Sequence, residues 1–113
     1  MEVQEYLPLT ETSFFIILSL ATAPKHGYAI MKEVEAMSEK RVVLATGTLY
    51  SALRRMLEDG WIERVTDNSS EVNNRERKLY QLTSHGRRLL EAETSRLRKL
   101  VDLTHLPDVR AGR

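Results

Sequence analysis

The sequence predicts a mainly α-helical chain with one small β-hairpin, and three features of its patterning carry that prediction. Apolar residues recur at three- and four-residue spacing in the stretches around Ile30 and Leu49. Two runs rich in strand formers, Trp61 to Thr66 and Arg77 to Leu82, flank a polar segment of Asn, Ser, Asp and Glu from Asp67 to Glu76. From Thr83 onward, Leu89, Leu90, Leu97, Leu100 and Val101 share one side of a helix, while Arg88, Glu91, Ser95, Arg98 and Asp102 share the other.

Each element has local reasons. Thr10 is placed to cap a first helix that begins after Pro8 and runs to about Ala23, where Pro24 stops it. Phe14, Ile17, Leu18 and Ala21 form one face of it, leaving Phe15, Ile16 and Leu20 off that face as more apolar surface than one small core covers. Ile30, Val34 and Met37 mark a second helix from about His26 to Ser38, with Lys32, Glu33 and Glu35 toward water. A brief extended stretch, Arg41 to Ala45, follows. Thr46 is the N-cap candidate of a third helix whose buried stripe is Leu49, Leu53, Met56 and Leu57, and Asp59-Gly60 ends it. Thr83 caps the last helix, Pro107 ends it, and Asp108 to Arg113 reads as a frayed tail.

Bulk properties narrow the class of molecule. The 113 residues carry 17 Lys+Arg against 16 Asp+Glu, with 42% hydrophobic residues and no Cys. Balanced charge with ordinary apolar content predicts one folded unit, and a chain this short has a modest core that a partner chain can complete. Without Cys there is no disulfide scaffold, thiolate zinc site or Cys nucleophile. The start, Met1-Glu2-Val3-Gln4-Glu5, lacks a basic signal region, and the apolar run Phe14 to Ala21 is far short of the ~20 residues that span a bilayer, so the expectation is a cytoplasmic chain with no membrane role.

The order helix, helix, helix, hairpin, with a tight link between the second and third helices, is that of a winged helix-turn-helix, here over residues 1–82, followed by one long C-terminal helix and tail over residues 83–113. Projected at about 100° per residue, the third helix turns Gly47, Ser51, Arg54, Arg55 and Glu58 away from its apolar stripe, with Thr48 and Tyr50 on the flanks. A small, hydroxylated, cationic face suits the major groove of duplex DNA: short residues permit close approach, and one Arg can bond two acceptors of a guanine. Thr48, Ser51 and Arg54 are therefore the candidates for base edges. Thr46, Tyr50, Arg55, Arg75, Arg77 and Lys78 are the candidates for phosphates, the helix start adding free amides and a positive dipole.

A surface helix also commonly carries two Arg and some hydroxyls, but the hairpin arm supplies context. Arg75, Arg77, Lys78, Arg87 and Arg88 stand against only Glu76, in a chain whose net charge is +1. Cations concentrated where a wing lies favour phosphate contact. The competing reading is a winged-helix protein-interaction module without sequence-specific DNA binding, which has no need of cations gathered on one side.

From Leu9 to Leu90 the chain resembles the PadR-type transcriptional regulators, through Leu-Thr-Glu at 9 to 11, His-Gly-Tyr at 26 to 28, Gly-Thr-Leu-Tyr at 47 to 50, Asp-Gly-Trp-Ile at 59 to 62 and Tyr-x-Leu-Thr-x-x-Gly at 80 to 86. Its length is similar to the short-tailed subgroup with a single C-terminal dimerisation helix. The resemblance implies a cytoplasmic homodimer that represses transcription from a pseudo-palindromic operator, often relieved by a small molecule or stress signal. It also implies that Tyr28 packs in the core. Independently, the overfull first helix and the last helix offer two apolar surfaces for a two-fold partner, so Phe14, Phe15, Leu18, Leu89, Leu90, Leu97, Leu100 and Val101 are the candidate dimer interface. The alternative is that both stripes pack within one chain.

Other chemistry has little support. His26, His85 and His105 are the only imidazoles and none has a second ligand at metal-site spacing, so no metal or organic cofactor is expected. His26 suits the turn into the second helix. Trp61 reads as a core anchor of the first wing strand, with stacking on a flat ligand as its alternative. No Gly-rich phosphate loop or nucleophile elbow is present, so the chain is not expected to be an enzyme. Repression and activation are not separable from sequence.

Overall fold

The computed structural model describes residues 3–66 and 78–105. The expected hairpin tip at 67–76, the strand start at Arg77, Pro107 and the tail at 108–113 lie outside the described residues. A 3-10 turn at Val3–Tyr6 leads into α1 (Glu11–Ser19), β1 (Lys25–His26), α2 (Gly27–Met37), α3 (Thr46–Glu58), β2 (Ile62–Thr66), β3 (Lys78–Leu82) and α4 (Ser84–Leu103). The fold is mainly α with a small antiparallel sheet, a winged helix with one long C-terminal helix appended. Among the described residues no helix is long and apolar enough to cross a membrane.

The hairpin pairs Ile62 with Leu82 through Thr66 with Lys78. A third strand, β1, pairs Lys25 with Tyr80 and His26 with Leu79, so β3 is central. Two residues show no alternation, and nothing in the sequence marked this strand.

The core gathers Ile16, Ile17 and Leu20 from α1, Ile30 and Val34 from α2, Leu49, Leu53 and Met56 from α3, Trp61, Ile62, Tyr80 and Leu82 from the wing, and Leu89 and Leu90 from α4. This corrects the phase expected for α1: Ile16 and Leu20 point inward, while Phe14, Phe15, Leu18 and Ala21 are half-buried at the margin. The helix is apolar on nearly every side, so its composition carries no phase to read. It also stops at Ser19 rather than Ala23. Lys25 Nζ donates to the Ser19 carbonyl at 2.6 Å, taking an acceptor that a further turn would need, and Leu20 N and Ala21 N close the end with bonds to Ile17 O and Leu18 O.

The other helix ends follow their local chemistry. Met37 is exposed, not buried, because Ser38 takes the inward position instead; its hydroxyl accepts from Val42 N at 2.9 Å. Glu39 and Lys40 then adopt φ of 54° and 69°, a left-handed turn that precedes the stretch from Arg41 to Ala45. Thr46 is the first helical residue of α3 and not its cap; Ala45 holds the cap position without a side-chain bond. At the far end Gly60, at φ +79°, lets Trp61 N reach back to Met56 O.

One junction sets the wing on α4. Thr83 accepts from Gly86 N at 3.0 Å as the cap of α4, while its own N–H and hydroxyl reach the Trp61 carbonyl. A Cβ on Gly86 would meet that carbonyl oxygen at 2.0 Å, so the close approach requires glycine.

A second tie joins the N-terminal strap to α4. Glu93 is 2% exposed, accepts from Leu9 N at 3.0 Å, and receives Arg96 Nε at 2.6 Å and a terminal guanidinium nitrogen at 2.9 Å. The bonds from Arg96 and Leu9 hold its carboxyl below the ordinary carboxylate range, against the opposing effect of burial. A group depressed in the folded chain contributes stability above its unfolded pKa and loses it as pH falls through the folded value. We therefore expect Glu93→Gln to cost about 1.5–3 kcal/mol at pH 7, the worth of hydrogen bonds to a charged group. In urea melts the difference from the parent chain shrinks as pH drops to about 3; a pH-independent difference would contradict this role.

Candidate nucleic-acid interface

Helix α3 is fixed by its inner face and displays the outer one. Leu49, Leu53 and Met56 are at most 2% exposed, each burial contributing roughly 1.5–3 kcal/mol. With that face held, Thr46, Gly47, Thr48, Tyr50, Ser51, Arg54 and Arg55 are all exposed. Arg54 and Arg55 make no ion pair among the described residues. The uncapped first turn leaves its amides open alongside the Thr46 and Thr48 hydroxyls. Beside this ridge lies a groove of about 660 Å³, walled by Thr10, Thr12 and Ser13 on one side and Gly47, Thr48, Ser51 and Arg55 on the other.

Tyr50 takes a flanking place. Its hydroxyl lies so close to Gly27 that a Cβ there would sit 2.3 Å from the oxygen. Tyr80, buried beneath, has its hydroxyl pKa pushed up by burial and by the neighbouring Tyr50, while a hydrogen bond from Arg64 opposes this. The ring thus joins α3 to the start of α2, linking the His-Gly-Tyr and Gly-Thr-Leu-Tyr stretches.

Tyr28 corrects the expectation of a core aromatic. It is 69% exposed, because Gly27 is the residue turned inward and Tyr50 covers it. Lys32 Nζ lies 5.9 Å from the Tyr28 ring centroid, a pairing that no motif or spacing in the sequence marks. His26, at the cap position of α2, sets Nδ1 3.0 Å from the Lys78 carbonyl, so the first turn of α2 sits between α3 and the wing.

Of the wing cations, Lys78 is exposed at the start of β3; Arg75 and Arg77 lie outside the described residues. Arg88 is exposed at the start of α4, whereas the Arg87 guanidinium donates to Ala21 O. The expected apolar interface divides. Leu89 and Leu90 belong to the chain's own core, because the first turns of α4 pack on β3 and α1. Leu97 is half-buried, whereas Leu100, Val101 and the unanticipated Leu103 are 48%, 54% and 57% exposed. Phe14, Phe15 and Leu18 pack against the core margin.

A helix-turn-helix with a hydroxylated, cationic outer ridge and a three-stranded wing defines the class: a winged helix-turn-helix regulator. The model of the transcriptional regulator PadR-like family matches residues 16–92, and the chain belongs to that family. Its fold matches a PadR family transcription regulator from Clostridium difficile at TM-score 0.70 and 26% identity, covering 85% of this chain and 96% of that one. A PadR-like transcription factor from Bacteroides fragilis matches at TM-score 0.67 and 25% identity, over 82% and 85% of the two chains. Bacillus subtilis PadR, solved with operator DNA, matches at TM-score 0.65 and 21% identity, over 75% of this chain and 47% of that one. No curated protein matches in sequence.

The Gly27–Tyr50 contact is testable without a ligand. Gly27→Ala should destabilise the chain, and the cost should fall in a Tyr50→Ala background by at least about 0.5 kcal/mol, the scale of coupling between touching residues. A double-mutant cycle from denaturant melts measures this; strict additivity would refute the contact.

Proposed function

We propose that this chain is a homodimeric repressor acting in the cytoplasm, which reads a pseudo-palindromic DNA operator by laying α3 in the major groove of each half-site. The observation that carries this reading is the exposed ridge from Thr46 to Arg55, cationic, unpaired among the described residues, and backed by a fully buried inner face. Thr48, Ser51 and Arg54 take the base edges. Thr46, Arg55 and Lys78 take phosphates, with Arg75 and Arg77 assigned there from sequence. Tyr28 and Lys32 join them, because the first turn of α2 lies between the groove helix and the wing, where a strand of the duplex passes.

Pairing rests on Leu97, Leu100, Val101 and Leu103 of α4, with Phe14, Phe15 and Leu18 at the margin. A two-fold axis through α4 sets two groove helices about 34 Å apart, one turn of DNA. Bacillus subtilis PadR, solved on operator DNA, supports the docking mode by its shared fold.

A duplex selected from a random pool, titrated at two salt concentrations against a scrambled duplex, tests the reading. Arg54→Ala should cost about 1–3 kcal/mol and relax preference at one position, while Lys78→Ala weakens both duplexes alike and lowers the salt slope by about one. Equal affinity for the two duplexes would overturn specific binding. Sedimentation of Val101→Glu, with a charge set in the exposed stripe, should show monomer where the parent chain is dimer; an unchanged dimer would place the interface elsewhere.

A further inference from the structure

Arg64 is an exposed cation in the middle of β2. Strand register fixes the face it occupies, because residues directly opposite across an antiparallel pair share a face and successive residues alternate. Ile62, Arg64 and Thr66 therefore lie on one face with Leu82, Tyr80 and Lys78, while Glu63 lies on the other, where Gln81 Nε2 donates to it at 2.7 Å. The face of Arg64 is the one that enters the core, since Ile62, Leu82 and Tyr80 are all buried. On that side α3 packs against β2. Alternation thus turns the acid of this strand away from the recognition helix and the cation toward it.

Arg64 is also held in place. Tyr80, directly opposite on β3, accepts a hydrogen bond from the guanidinium on its buried hydroxyl. Lys25, across from Tyr80 on the other side, is engaged elsewhere, with Nζ 2.6 Å from the Ser19 carbonyl and 3.4 Å from Glu33. Tyr50 neighbours Tyr80 and reaches Gly27, so contacts run from Arg64 on the wing through Tyr80 to Tyr50 on α3 and on to the start of α2. Arg64 makes no ion pair among the described residues. A guanidinium carries its N–H donors in a planar fork, so one bond to a phenol leaves the others for an anion.

We propose that Arg64 is a further DNA-binding residue, a phosphate clamp set between the recognition helix and Lys78, and that Tyr80 is the buried positioning residue that holds its guanidinium for a bidentate contact. Guanidinium and phosphate match in two parallel hydrogen bonds, which an ammonium cannot form. A side chain already held by Tyr80 also loses less rotamer freedom when the duplex arrives. Lys78 supplies charge on a flexible stem, whereas Arg64 fixes the backbone of the duplex at a set distance from α3.

This role rests on the DNA-binding reading of α3 and deepens it. Titration of the full chain with the selected and scrambled duplexes, at two salt concentrations, tests it. Arg64→Ala should weaken both duplexes about five- to tenfold and lower the salt slope by about one. Arg64→Lys should keep the slope yet bind about threefold more weakly than the parent chain, because the charge stays and the paired contact is lost. Tyr80→Phe keeps the buried ring and every charge, so it should cost about threefold with the slope unchanged, and nothing further in an Arg64→Ala background. An equal loss from Tyr80→Phe in both backgrounds would reduce Tyr80 to a packing residue and overturn its assignment. If Tyr80→Phe does not fold, the split between slope and affinity in Arg64→Lys decides the matter, full affinity for the Lys variant overturning the bidentate contact. A slope lowered by Lys78→Ala but unmoved by Arg64→Ala would remove this inference alone. A parent chain that binds neither duplex would remove the DNA-binding reading and the clamp with it.

Discussion

The structure depends on the burial of one side of α3. Leu49, Leu53 and Met56 are sealed against α2 and the first wing strand, and once they are, the helix has no freedom to rotate about its axis. Its small and cationic residues are therefore held outward by the core. A recognition surface needs this rigidity, because base-edge hydrogen bonds are lost when a side chain is displaced by a fraction of an ångström. The Tyr50 ring over Gly27 supplies a second restraint, fixing α3 against the start of α2.

The wing and the strap are held by polar contacts of a different kind. Thr83 spends one oxygen on the cap of α4 and on the end of the preceding turn, so the direction of α4 is set by where the wing closes. Gly86 permits this by leaving room for the Trp61 carbonyl. Glu93 then returns the N-terminal strap to α4 through Leu9. A surface pair such as Arg41 with Glu11, which fixes the linker between α2 and α3 to the start of α1, adds geometry and little stability, since both side chains are more than half exposed.

How much of this was legible follows from which signals survive in one dimension. The stripe of α3, the Thr83 cap, the hairpin and the Asp59-Gly60 stop each rest on a local rule, and the structure follows them. The phase of α1 did not show, because a helix apolar on nearly every side has no polar face to orient it. Tyr28 and Tyr50 have the same chemistry, and only the contact between Gly27 and Tyr50 decides which one covers the turn. Glu93 carried no signal, since an acid among Arg and Leu on a long helix reads as solvated; its burial depends on the strap arriving from residue 9. The first turns of α4 looked like partner surface for the converse reason, that a leucine stripe does not say whose core it enters.

On the proposed function, the division within α4 bears on how a chain of net charge +1 would hold DNA. One chain would offer Arg54, Arg55, Lys78 and a few neighbours, and each phosphate neutralised would contribute through counterion release with a salt slope of about −0.9. That few contacts give only weak, salt-sensitive binding. On the proposed pairing, a second protomer held by the exposed end of α4 would double the contacts without adding charge to either chain, and it would make the second half-site an intramolecular encounter at high effective concentration. On that proposal the near-neutral composition would leave a single copy little affinity for random duplex, and tight binding would require both ridges to meet the groove at matched pitch. On this account specificity arises from the geometry of α4 as much as from the side chains of α3.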